Sequence, residues 1–138
     1  MSWNEKMKEF GGGNFTFLSE DGESITFIVV GEPVLIESTY QKKPQQRIGC
    51  PVVTDDGFVL LIGGKRLARK IGKHEAVFGT SALMAIRHGV VGDTDTKYEV
   101  KVLPELETYK RLAAIRDADF RPEMILDAVN EAKGNLGN

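Results

Sequence analysis

Residues 15–62 set the first constraint on the fold. They are written in β-branched, aromatic and other apolar residues, cut at short intervals by turn signals. Phe15-Thr16-Phe17-Leu18 predicts a short strand, and Asp21-Gly22 a tight turn. Ser24 to Val30 predicts a second strand, punctuated by Gly31-Glu32-Pro33, and Val34 to Tyr40 a further long one. Gln41 to Arg47 reads as a polar, basic loop. Ile48 to Thr54 and Phe58 to Ile62 form the next β segment, interrupted by an Asp55-Asp56-Gly57 turn.

The pattern changes after Gly63-Gly64. Leu67, Ala68 and Ile71 share one face at helical spacing, with Lys65, Arg66, Arg69, Lys70 and Lys73 around the rest. Ser81 to His88 then reads as a strand, and Gly89 to Asp95 as a turn-rich loop. In residues 96–102, Thr96, Tyr98, Val100 and Val102 alternate with Lys97, Glu99 and Lys101, the period of a strand with one face turned inward. Pro104 stops it. The order is strands, one helix, two strands, then further helices. A five-stranded OB barrel has three strands, a helix and two more strands, and the helix near 65–75 sits where that topology needs it. The expected fold is mainly β with appended helices, built on such a barrel, with a generic α+β domain as the alternative.

Two flanking segments complete the division. Residues 1–13 predict an N-terminal helical arm on a glycine hinge. Ser2 and Glu5 fit a capping box, Trp3, Met7 and Phe10 share a face, and Gly11-Gly12-Gly13 follows. Residues 14–104 form the expected barrel domain. Residues 105–138 form a C-terminal helical extension, with one helix from Leu106 to Arg116 and another starting at Pro122. The second carries an apolar stripe of Met124, Ile125, Ala128, Val129 and Ala132.

The 138 residues carry a formal charge of -2, which excludes a uniformly basic nucleic-acid binder. That small value conceals blocks. Residues 1–41 hold two basic and seven acidic residues, a balance of -5, whereas residues 42–73 hold eight basic and two acidic, a balance of +6. Such a basic middle creates a local field of several kT. The one cysteine, Cys50, allows no intramolecular disulfide and fits a reducing compartment. No apolar run approaches the ~18 residues of a membrane span, and no basic segment followed by an apolar stretch marks a secretory signal. The expectation is a cytoplasmic protein with no membrane partner.

Catalytic and metal-binding patterns are missing. Gly64-Lys65 resembles the end of a phosphate-binding loop, but Arg66 stands where Ser or Thr is required. His74, His88 and Cys50 have no partner at ligand spacing. Asp93-x-Asp95 opens like a calcium loop, but Tyr98 and Pro104 occupy its obligatory Gly and Glu positions. No catalytic residue, metal or cofactor is therefore expected, and the chain is not expected to be an enzyme.

Several short motifs, in this order, resemble a known family. Leu18-x-x-Asp21-Gly22-Glu23-Ser24 looks like the opening of phage-encoded single-stranded DNA-binding proteins. Gly64-Lys65-Arg66-Leu67, Ala85-Ile86-Arg87-His88-Gly89, Asp95-Thr96-Lys97-Tyr98 and Pro104 are similar to their second half. The resemblance covers roughly residues 15–104. It implies an OB fold that coats single-stranded DNA with little sequence preference during phage-type replication or recombination, in the cytoplasm of the host. Two departures stand out. With one cysteine, the chain lacks the zinc subdomain of some tailed-phage members. It also lacks their acidic tail, so recruitment of replication or recombination proteins would fall to the C-terminal helices, whose acidic residues lie upstream.

A non-specific binder of single strands needs cations for the phosphates and aromatic platforms for the bases. Lys42, Lys43 and Arg47 supply charge on one loop, Lys65 at the start of the helix, Arg87 on the strand after it, and Lys97 and Lys101 on the last strand. Tyr40 abuts the basic loop and is the expected platform; Phe58 serves as platform or as core. About five neutralised phosphates would give a salt slope of about -3.5. The same barrel also suits a protein-interaction module docking through Met124, Ile125 and Val129, or a binder of single-stranded RNA. The N-terminal arm and the C-terminal stripe both offer surfaces for a second copy of the chain.

Overall fold

The computed structural model describes residues 14–40, 43–89 and 96–136. The expected arm and hinge at 1–13, most of the loop before Thr96, and Gln41 and Lys42 lie outside them. Seven strands run β1 (Phe15–Phe17), β2 (Ser24–Val29), β3 (Val34–Tyr40), β4 (Lys43–Thr54), β5 (Gly57–Gly63), β6 (Ala82–His88) and β7 (Lys97–Leu103). Helix α1 (Lys65–Gly72) lies between β5 and β6, and α2 (Leu106–Asp119) and α3 (Glu123–Leu136) follow β7.

These strands form one open, mixed sheet in the order β1-β5-β4-β2-β6-β7, with β3 paired to β4. The expected five-stranded closed barrel is thereby corrected: the sheet has seven strands and does not close, and the helix follows the fifth strand. The reason lies at its two ends. Strand β1 runs parallel to β5, with Phe15 opposite Leu60 and Phe17 opposite Ile62, and so occupies the edge a closing strand would need. At the other end, among the described residues, β7 pairs only with β6.

Local chemistry explains how the strands are cut. Gly31-Glu32-Pro33 separates β2 from β3, and β4 changes partner at the matching point. Val34 faces Gly49 on the β3 side, and Val29 faces Val52 on the β2 side. Pro51 sits at this handover, where its missing N–H interrupts neither ladder, and its carbonyl still accepts a bond from the Val30 N–H at 2.9 Å. Residues 43–47 of the loop expected over 41–47 are instead strand, because β4 begins at Lys43 and Tyr40 pairs with it. Gly57 ends the following turn at φ +104°, a conformation that favours glycine.

The sheet is covered on both faces, and the period of two in each strand sorts the core. Along β5, Phe58, Leu60 and Ile62 pack with Leu112, Ala128, Val129 and Ala132 of α2 and α3. Leu61 points the other way, into a cluster with Phe27, Val52, Leu83 and the α1 residues Leu67 and Ile71. Helices α2 and α3 thus share a core with the sheet. The α3 stripe is spent there: Ala128 and Ala132 are fully buried, Val129 nearly so, and Met124 and Ile125 pack against the same cluster.

Candidate nucleic-acid interface

Strand β1 has only three residues, but its alternation puts Phe15 and Phe17 on one face. Their rings meet edge to face, with centroids 5.8 Å apart and planes at 88°. Both remain half-buried and line an open cleft of about 570 Å³ with Ser19, Arg47 and Arg87. The Arg47 guanidinium carbon lies 5.9 Å from the Phe17 ring centroid, a cation–π arrangement. Aromatic faces and guanidinium groups together in an open cleft can stack planar bases and attract phosphates.

Arg87 is held in place by the chain itself. Its Nε donates to the Gly89 carbonyl at 2.9 Å, Nη1 to the Leu18 carbonyl at 3.1 Å and to the Tyr98 hydroxyl at 3.3 Å, and Nη2 to Thr96 Oγ1 at 3.3 Å. The expected phosphate contact is therefore first a clamp. It lends its charge to the cleft while joining the segment after β1 to β6 and β7.

The other expected residues separate. Phe58 is 4% exposed and packs on Phe120, with ring centroids 5.2 Å apart, so it is core and no platform. Tyr40 and Lys43 are paired at the end of the β3–β4 hairpin, four residues along β4 from Arg47. Their side chains, and Lys42 altogether, lie outside the described residues. Lys65 is exposed in the first turn of α1, away from the aromatic cleft's lining.

Lys97 faces a second cleft of about 430 Å³, shared with Lys70, Lys73, His74 and His88. Lys101 is paired with Glu99 at 3.2 Å. Hydrogen bonds from His88 and then Lys101 hold the Glu99 carboxyl below its ordinary range. Among the described residues no group of three His, Cys, Asp or Glu side chains is placed to hold a metal ion, and no helix is long and apolar enough to cross a membrane.

The aromatic pair was not among the expected site residues. The Phe-x-Phe alternation reads as core in the sequence, and Phe15 and Phe17 do pack in part against the cluster around Phe58 and Leu60; what the sequence does not show is that their remaining surface meets two arginines. Only the fold brings Arg47 and Arg87, separated by 40 positions, to those rings. No family model matches this chain, and neither a curated protein nor a solved structure shows significant similarity to it.

Proposed function

We propose that the chain binds single-stranded DNA with little sequence preference, stacking bases on Phe15 and Phe17 and drawing the phosphates past Arg47 and Arg87. The observation that carries this reading is the edge-to-face phenylalanine pair in an open cleft with two arginines. The sheet supports it further. The antiparallel ladders β2–β4, β4–β5, β2–β6 and β6–β7 are four of the five that an OB barrel requires, with α1 between its third and fourth strands. On this view β3 is the outer half of a long first strand, and β1 takes the edge where the fifth ladder would close. The protein would act stoichiometrically, coating strands in phage-type replication or recombination, in the cytoplasm and without catalysis.

Docking of a replication partner through Met124, Ile125 and Val129 has less support, since these side chains pack on the protein's own sheet.

The test is a fluorescence-anisotropy titration of labelled oligo-dT at about 50 and about 200 mM salt, wild type against Phe15→Ala and Phe17→Ala. Loss of a stacked base is worth about 1–3 kcal/mol, so each variant should bind roughly five- to 150-fold more weakly. Absence of wild-type binding at the lower salt overturns the proposal. Competition with oligo-rU decides between DNA and RNA, because stacking and phosphate contacts serve both.

A further inference from the structure

We propose that the cleft between α1 and β7 is a second phosphate-binding segment, taking the backbone of the same strand as it leaves the aromatic cleft. This rests on the function proposed above and extends it to a surface beside α1.

Three separate elements bring basic side chains to this cleft. Lys70 comes from α1 and Lys73 and His74 from the turn after it, His88 from the end of β6, and Lys97 from the start of β7. The negative end of the α1 dipole accounts for cations in its last turn. It does not account for Lys97, which arrives from the sheet. Glu99 is the carboxylate among the lining residues, and both its oxygens are engaged: Oε1 lies 3.2 Å from His88 Nε2 and Oε2 lies 3.2 Å from Lys101 Nζ. Lys70 Nζ donates to the Tyr98 carbonyl. Lys73 and Lys97 are exposed, and neither forms an ion pair with the described residues. Like charges gathered around one concavity repel each other and focus a positive potential into it, which an anion relieves.

The two clefts adjoin. Tyr98 lines the second, and its hydroxyl accepts a hydrogen bond from Arg87, which lines the first. Arg87 and His88 are consecutive in β6, so their side chains leave opposite faces of that strand and reach different clefts. A phosphodiester chain passing Arg87 thus continues toward Lys97 and Lys73 by way of Tyr98, which links the two clefts. A polyanion of repeating phosphates fits such a track, whereas a single small anion would use one end of it.

The experiment compares salt dependence of oligo-dT binding for wild type, the double variant Lys73→Gln/Lys97→Gln, and a control, Lys110→Gln/Lys133→Gln. The control removes the same charge from exposed positions on α2 and α3, on the opposite face of the sheet. Two lost phosphate contacts should flatten the slope of log K against log salt by about 1.4. The control should leave the slope within error of wild type. An unchanged slope in the first variant overturns the inference, as does an equal change in both, which would report net charge and no track. Either result leaves the aromatic-cleft proposal standing, provided Phe17→Ala still weakens binding. Absence of wild-type binding overturns both proposals together. The four substituted lysines are exposed, and matching thermal melts confirm that the fold is retained.

Discussion

Arg87 Nη1 lies 3.1 Å from the carbonyl oxygen of Leu18, joining β6 to the chain just beyond β1 across 69 positions of sequence. The backbone reinforces this junction. Gly22 N–H donates to the Arg87 carbonyl at 2.8 Å, and Arg87 N–H to the Glu23 carbonyl at 2.9 Å. Side chain and main chain of one residue thus hold the β1–β2 connection against β6, and with it one wall of the aromatic cleft.

Arg87→Lys should therefore act on stability as well as on binding. Lysine keeps the charge but has no planar fork to reach Leu18, Gly89, Tyr98 and Thr96 together. Losing a charged donor to buried or half-buried acceptors should cost about 1.5–3 kcal/mol. Urea unfolding should show this as a lower midpoint at unchanged slope. A midpoint equal to wild type would show that the clamp contributes nothing net.

Phe58 and Phe17 should respond in opposite ways. Phe58 is buried against Phe120, so Phe58→Ala should destabilise the fold by about 3–5 kcal/mol while the folded fraction binds oligo-dT normally. Phe17→Ala should cost more affinity than stability. Paired urea melts and titrations separate the two, and loss of affinity in folded Phe58→Ala would return that ring to the binding site.

Gly49 marks a close approach between strands. A Cβ there would lie 2.7 Å from Cγ of Leu60, which is fully buried. Gly49→Ala should therefore overpack the core and cost about 1–3 kcal/mol. Pairing it with Leu60→Val should recover part of the loss, giving non-additivity in a double-mutant cycle. Simple additivity would show that Leu60 is not the obstacle.

Burial pushes the Cys50 thiol up to about 11. At neutral pH it should resist an aromatic disulfide reagent in the folded protein and react promptly in urea. The stability consequence has a definite sign. From a pH near 9 upward the unfolded chain loses the thiol proton while the folded chain keeps it, so stability falls as pH rises from the ordinary value of 9.0 toward about 11. The loss approaches about 1.4 kcal/mol per pH unit in that window. Other groups titrate there too, so the measurement is the difference between wild type and Cys50→Ala, which should shift in favour of the variant over this range. A constant difference would show that the thiol is not protected.

The local elements are legible along the chain. Asp21-Gly22 and Asp55-Asp56-Gly57 mark turns whose glycines take positive φ, Gly31-Glu32-Pro33 separates two strands, and residues 65–72 and 97–103 follow helical and alternating periods. These signals act over a few residues, through backbone sterics and the side-chain period, so they survive without knowledge of the fold. Which edges and faces are used depends on how distant segments pair. Nothing near Phe15 in the sequence states that β1 lies beside β5, 45 positions on, and keeps the sheet open. Nor does the Phe58 neighbourhood show that Phe120 covers its ring, or that the α3 stripe meets the protein's own sheet. The same apolar residue serves as core, platform or docking surface according to what packs on it. That is settled by pairing between distant segments, where burial of complementary faces outweighs local preference.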